Sequence, residues 1–249
     1  MIYHLGTSGW SYPGWRLKFY PRGTASRDWL AFYARHFATV EVNMTFYRFP
    51  KPATLQAWLE RTPADFRFTL KANRQITHLK KLRGVGHDVN FFYHLADSLQ
   101  PKLACILFQL PPSLKKDLGL LEEFVALLTP KYKNVIEFRD PSWYDDRVVE
   151  LLRGAGVGFC TVSSTQVPAT AVVTASFAYV RFHGLTGGYR YNYSDDELAT
   201  WAKTIRGLRA EESYVYFNND YMAYAVQNGL ALTARLTGSI SGSSASGRP

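Results

Sequence analysis

Cysteine is nearly absent, with two in 249 residues, and no closely spaced Cys or His pairs of the kind zinc sites use occur anywhere. Cys105 and Cys160 each lie inside an apolar run and are expected as buried free thiols. No stretch approaches the roughly 18 uninterrupted apolar residues a membrane span requires, so no membrane partner is expected. Met1 leads within a few residues into strand-like sequence, not into a basic, then apolar, then small-residue leader. The expected location is therefore cytoplasmic. A G-x-G-x-x-G turn is missing too, which argues against an open dinucleotide-binding sheet. Acid is scarce: 20 Asp plus Glu stand against 29 Lys plus Arg, a formal charge of +9. That excess favours anionic partners, although it is also an ordinary solubility feature. With 47% hydrophobic and 20% charged residues, the composition is that of a globular protein and excludes global disorder.

What is present is a series of short runs rich in β-branched and aromatic residues. They are Tyr3 to Thr7, Thr39 to Asn43, Arg67 to Ala72, Ala104 to Leu110, Asn134 to Phe138, Gly158 to Val162, Phe177 to His183 and Tyr214 to Phe217. Helical periodicity fills the intervals. Ser142, followed three residues later by Asp145, opens the amphipathic run Val148, Val149, Leu151, Leu152 that Gly154 closes. Ser194 and Glu197 likewise precede Leu198, Trp201, Ala202 and Ile205. Eight strand and helix alternations predict an α/β fold, a single-domain (β/α)8 TIM-type barrel over residues 1–236. Residues 237–249, mostly Gly, Ser and Ala, cannot build a core and are expected as a flexible tail.

Alternate residues of a barrel strand face the helices and the lumen, and here the two parities differ in chemistry. Val40 and Val42 oppose Glu41 and Asn43. Phe68 and Leu70 oppose Thr69, Lys71 and Asn73. Ile136 and Phe138 oppose Glu137 and Arg139; Val180 and Phe182 oppose Arg181 and His183; Val215 and Phe217 oppose Tyr216 and Asn218. Gln109 shares the lumen parity with Cys105 and Leu107. The apolar set must pack on the helices, so the charged set is expected at the carboxyl-end mouth, where barrel enzymes place their sites. The plain alternative is a structural ion network in which Lys71, Arg139 and Arg181 neutralise Glu41 and Glu137. A lumen that needed only filling would more cheaply use Val, Ile and Leu, since desolvating charges is costly even when they are paired.

Several longer motifs follow this frame: Gly6-Thr-Ser-Gly-Trp-Ser-Tyr-Pro-Gly-Trp15, Thr39-Val-Glu-Val-Asn-Met-Thr-Phe-Tyr47, Phe68-Thr-Leu-Lys-Ala-Asn73 and Thr77-His78 in the first third. Leu107-Phe-Gln-Leu-Pro-Pro-Ser113, Glu137-Phe-Arg-Asp-Pro-Ser-Trp-Tyr144, Tyr179-Val-Arg-Phe-His-Gly184 and Tyr216-Phe-Asn-Asn-Asp220 follow. Together they resemble the YecE-like family, domain of unknown function 72, over nearly the whole chain up to about Leu236. The resemblance implies a TIM-type barrel and no particular reaction. One departure stands out: where the resemblance implies an Asp after the sixth strand, this chain has Ser163.

The leading expectation is a mouth built for an anionic, phosphate-bearing ligand, a nucleotide or single-stranded nucleic acid, with hydrolysis as the reaction. Glu137 and His183 are the expected acid and base pair, with Glu41 as orienter or second carboxylate. Lys71, Arg139 and Arg181 would stabilise charge on the reacting group, helped by Asn43, Asn73, Asn218 and Asp220. Gly187 and Gly188 follow the seventh strand, where many barrels hold phosphate on backbone N–H groups. Trp10 and Tyr47 head loops that interleave aromatics with cations, the pattern single-stranded nucleic acid requires; Trp15, Phe19, Tyr20, Tyr189 and Arg190 belong to the same pattern. A non-catalytic nucleic-acid or sugar-phosphate binding protein is one alternative. Glycoside hydrolysis by Glu41 and Glu137 is another. No cofactor is identified; a divalent metal on Glu41, Glu137 and His183 is disfavoured by the three cations of the same layer. Asp140 and Asp220 precede helices and are expected as caps. The residues assign no oligomeric state.

Overall fold

The computed structural model describes residues 1–238. Every expected run is a strand: β1 (Ile2–Thr7), β2 (Thr39–Val42), β3 (Arg67–Lys71), β4 (Leu103–Gln109), β5 (Lys133–Glu137), β6 (Gly158–Ser163), β7 (Phe177–Phe182) and β8 (Glu212–Phe217). All ladders are parallel, in the order β1-β8-β7-β6-β5-β4-β3-β2, which makes a nearly closed TIM-type barrel. The helices are α1 (Trp29–Tyr33), α2 (Met44–Tyr47), α3 (Pro52–Glu60), α4 (Gly86–Asp97), α5 (Leu118–Val125), α6 (Asp146–Gly154), α7 (Asp195–Gly207) and α8 (Tyr224–Thr237). No helix is long and apolar enough to cross a membrane among the described residues.

Strict alternation fails once. Residues 164–176 join β6 to β7 without a helix, because Pro168 and the β-branched Val172, Val173 and Thr174 disfavour one. Thr174 pins the link to the barrel instead, donating to the Val157 carbonyl at 2.6 Å and accepting from the Phe159 N–H at 2.8 Å. The expected start of α6 also moves: Pro141–Trp143 first make a single tight turn capped by Asp140, so Asp145 and not Ser142 is the N-cap. Ser194 and Glu197 form the expected reciprocal cap on α7. At the far end α8 includes Thr237, and Gly238 closes it in the left-handed region. The rest of the expected tail, 239–249, lies outside the described residues.

Parity sorts the apolar side chains into two cores. Val40, Val42, Phe68, Leu70, Ile136, Phe138, Val180, Phe182, Val215 and Phe217 pack in the large outer core with the helices. Cys105, Leu107, Val135, Cys160, Val162, Tyr179, Tyr214 and Tyr216 fill the lumen. Both thiols are free and buried, as expected. Hydroxyls join strands across the lumen: the Tyr216 phenol lies 2.7 Å from Thr39 Oγ1 and 2.9 Å from Thr69 Oγ1. The amino end is plugged by Lys133, which donates to Glu212 at 2.8 Å, while Tyr214 donates to the other oxygen of that carboxylate at 2.5 Å.

β1 and β2 meet at the ends of the strand order, and a side chain stitches them. The Tyr33 hydroxyl of α1 accepts from the Thr7 N–H at 2.9 Å and donates to the Thr39 carbonyl at 3.0 Å. Gly6 permits this approach, since a Cβ there would fall 2.2 Å from the Thr39 carbonyl oxygen. Removing the phenol leaves two buried backbone groups without their partner, which costs roughly 1–3 kcal/mol each. Tyr33→Phe is therefore expected to lower unfolding free energy by about 2–4 kcal/mol, and Gly6→Ala by at least as much. Urea denaturation checks both; a Tyr33→Phe protein as stable as the parent would refute the stitch.

Candidate anion site at the barrel mouth

One guanidinium organises the carboxyl end. Arg181, on β7 and fully buried, donates through Nη2 to Glu41 of β2 at 2.6 Å and through Nη1 to Glu137 of β5. Tyr179 donates to the other Glu41 oxygen at 2.6 Å, and Arg139 Nε bonds the remaining Glu137 oxygen. Burial alone would push the Glu137 carboxyl up; Arg139, Arg181 and His183 outweigh it and hold this group well below the usual carboxylate range. Glu137 thus stays ionised and fully bonded.

His183 lies just past β7 with Nε2 3.1 Å from Glu137, Nδ1 3.1 Å from the Asn218 amide nitrogen, and Arg139 Nη2 2.9 Å from Nε2. The expected pair of Glu137 and His183 is therefore in contact. Burial, reinforced by the two guanidiniums and opposed by Glu137, drives the imidazole down to about 4. That is well into acid for an imidazole, whose ordinary value is near 6.5, so His183 is uncharged at pH 7.

Lys71 departs most from expectation. No carboxylate pairs with it among the described residues; Nζ donates to Gln109 at 2.6 Å and lies 4.1 Å from the centre of the Phe46 ring. Burial and Arg181 push the ammonium down to about 8 against the pull of Glu137 and Glu41. The layer consequently holds Arg139, Arg181 and Lys71 against Glu41 and Glu137, with His183 neutral.

Above it opens a polar cavity of about 370 Å³ lined by Arg139, Thr165, Gln166, His183, Gly187, Gly188 and Asn218, among others. Gly187 and Gly188 both take positive φ, 81° and 58°. Gly184, at φ 82°, carries the loop so close to itself that a Cβ would meet the Gly188 oxygen at 1.9 Å. Ser163 is buried beneath this loop and holds it through Tyr193, which donates to the serine hydroxyl at 2.8 Å and accepts from the Gly184 N–H at 2.9 Å. The cavity walls from the β6 link, Thr165 and Gln166, carried no sequence signal because they occupy an irregular segment.

Not every expected residue joins this site. Trp10 and Asn43 line a separate, largely apolar hollow of about 310 Å³ between the ends of β1 and β2. Asn73 is spent on backbone, donating to Thr45 at 3.0 Å and accepting from Gln75 at 3.0 Å. Asp220 makes no side-chain cap, contrary to expectation, and its half-buried carboxyl is pushed up by burial; Asp140 does cap. Tyr47 is exposed, but Trp15 and Tyr20 are buried and offer no stacking face. No cluster of three or more His, Cys, Asp or Glu placed to hold a metal occurs among the described residues; both buried carboxylates of the layer are bonded to Arg181.

Residues 4–247 match a family model described as a protein of unknown function, DUF72. The UPF0759 protein YunF of Bacillus subtilis is 28% identical, covering 92% of each chain. The UPF0759 protein YecE of Escherichia coli K12 is 31% identical over 74% of each. A crystal structure of a DUF72 family protein from Thermotoga maritima superposes with a TM-score of 0.87 at 31% identity, covering 95% of this chain and all of that one.

A histidine held neutral by its surroundings stabilises the fold fully above its unfolded pKa near 6.5, and the contribution is lost as pH falls toward the folded value of about 4. The magnitude is on the order of 3 kcal/mol. Denaturation curves between pH 7 and pH 5 are expected to show a steeper loss for the parent than for His183→Gln. Parallel curves for the two proteins would contradict the assignment.

Proposed function

This chain belongs to the DUF72 family, whose description names no reaction, and we propose that its barrel mouth binds a phosphate-bearing anion, a nucleotide or a nucleic-acid strand. One observation carries the reading: the mouth layer has three cations for two carboxylates, and the polar cavity beside it is lined by one of them, Arg139, and by the Gly187 and Gly188 loop. A phosphate there meets guanidinium N–H donors already oriented by Glu137, so little ordering cost remains on binding. Glycoside hydrolysis would need one carboxyl kept protonated, and Glu137 is held ionised.

Hydrolysis at this site would run through His183, with Glu137 positioning the imidazole and Arg139. A phosphate dianion beside Arg139 offsets the guanidiniums that keep the ring neutral, and so raises its pKa. The ring then takes up a proton as the ligand arrives and becomes an acid able to protonate a departing oxygen. Glu41 acts at a distance, by fixing Arg181.

Titration calorimetry with inorganic phosphate, nucleoside monophosphates and sugar phosphates tests this proposal. Binding is expected to be accompanied by proton uptake at pH 6, seen as a heat that varies with the buffer. Arg139→Ala is expected to weaken binding by about tenfold to a hundredfold, the worth of a charge-assisted hydrogen bond. Absence of binding by every ligand of the panel at millimolar concentration would dispose of the proposal.

Exposed aromatics at the same end favour a strand over a free nucleotide. Tyr47 and Tyr189 are 67% and 61% exposed, and the Arg190 guanidinium lies 5.3 Å over the ring of Tyr221, which is 45% exposed. Stacking on such rings is worth roughly 1–3 kcal/mol per base. Affinity for an oligothymidylate is expected to fall with salt at a log-log slope of about −0.7 per phosphate neutralised. Tyr189→Ala should weaken the oligonucleotide and spare the mononucleotide; equal effects on both would remove the strand from the reading.

A further inference from the structure

Lys71 combines features that anion binding does not need. Its amine ends on a neutral amide, Gln109, and on the Phe46 ring, while Glu41 and Glu137 are both taken by Arg181. Arg181 of β7 and Arg139, just past β5, add positive charge from across the barrel mouth, against Glu137 and Glu41. Lys71 and Gln109 remain partly exposed at the ends of β3 and β4. His78 packs edge-on against the same Phe46, 4.8 Å between centroids. Its Nδ1 is engaged by Thr77 at 2.9 Å, and burial with Lys71 and Arg139 lowers it to about 4, leaving an uncharged proton acceptor. The segment that holds it is unusual: Gln75–Leu79 is a wide single turn of π-helix, followed by Lys81 and Leu82 at φ 46° and 70°. Such local irregularity in a non-glycine segment is concentrated at functional sites.

We propose that Lys71 is a carbonyl-capturing lysine, forming a reversible imine with a small aldehyde or ketone at the barrel mouth. The uncharged amine donates its lone pair to the carbonyl carbon; the C–N bond forms as the C=O π pair moves to oxygen. A proton passes from nitrogen to that oxygen to give the carbinolamine. The nitrogen pair then re-forms a double bond to carbon, the hydroxyl leaves with a proton as water, and the imine remains. No oxidant or reductant enters the step. A lysine near 8 has about a tenth of its amine uncharged at pH 7, whereas an ordinary lysine near 10.5 has almost none. The amine stands without the phosphate site; only a preference for phosphorylated carbonyl compounds rests on the function proposed above.

The experiment is reductive trapping on the full chain with cyanoborohydride at pH 7, read by peptide mapping. With glyceraldehyde, Lys71 is expected to gain the mass of the aldehyde less one oxygen at least about tenfold faster than exposed lysines, with a half-maximal rate near pH 8. Lys71→Arg should remove the fast label and leave the slow ones. Labelling of Lys71 in the folded parent no faster than the exposed lysines overturns the proposal, whatever the variant does. Glyceraldehyde 3-phosphate should label faster still, and inorganic phosphate should slow that label alone. If both aldehydes label Lys71 equally and phosphate gives no protection, the imine stands and the phosphate site falls. If neither labels it while calorimetry still shows phosphate binding, the imine falls and the site stands.

Discussion

A single buried cation, Arg181, sets the terms for the whole carboxyl end. Bringing a guanidinium out of water costs several kcal/mol unless its charge and donors are met, and two carboxylates from β2 and β5 meet it. Those three strands are far apart in the chain, so the pair of ion bonds spans the barrel rather than one ladder. The groups around the two carboxylates answer to the same requirement: Tyr179 completes Glu41, and Arg139 with His183 completes Glu137. Among the side-chain atoms of Arg181, Glu41, Glu137, Arg139, Tyr179 and His183, Arg181 Nε is the one buried without a partner.

Below this layer the lumen changes chemistry. Hydroxyl contacts between Tyr216 and the two threonines, thiols and aliphatic side chains fill the lumen between this layer and the Lys133 and Glu212 plug at the amino end. Charge is thus confined to the two ends, where loops supply what the strands cannot. The carboxyl end carries three cations against two carboxylates, with a polar cavity beside them. The rigid strands hold the charged groups, while the loop over the cavity is held by Ser163, Tyr193 and the tight approach of Gly184 to Gly188. A site assembled this way is preorganised by the barrel and shaped by the loops.

Strand parity was legible because its period is two and each strand repeats the same contrast. Val40 against Glu41, or Phe182 against Arg181, needs no knowledge of neighbours to be assigned a face. Pairing was not legible, because the partner of a lumen charge comes from across the ring. The alternative of a structural ion network put Lys71 among the neutralising cations; it has Gln109 instead, and the parity of both residues was compatible with either outcome. Loop roles were the least readable. Asn73 and Asp220 are the same kinds of residue that cap and turn, yet one is consumed by backbone and the other makes no cap. Aromatic content after β1 also misled, since Trp15 and Tyr20 serve the core.

Burial, reinforced by the guanidiniums, keeps His183 and Lys71 down, and both are better regarded as responsive groups than as fixed charges. Protonating either one places a charge in a poorly solvated layer and close to two guanidiniums, so both shift in the same direction. An arriving anion removes part of that penalty, so occupancy and protonation are coupled by necessity. Carboxylates in place of Gln109 and Asn218 would abolish this responsiveness, pinning the lysine and the imidazole as permanent cations. Neutral amides satisfy their hydrogen bonds without doing so. The charge network is therefore structural at its centre, around Arg181, and adjustable at its edge, where the two amides hold the groups that a ligand can reach.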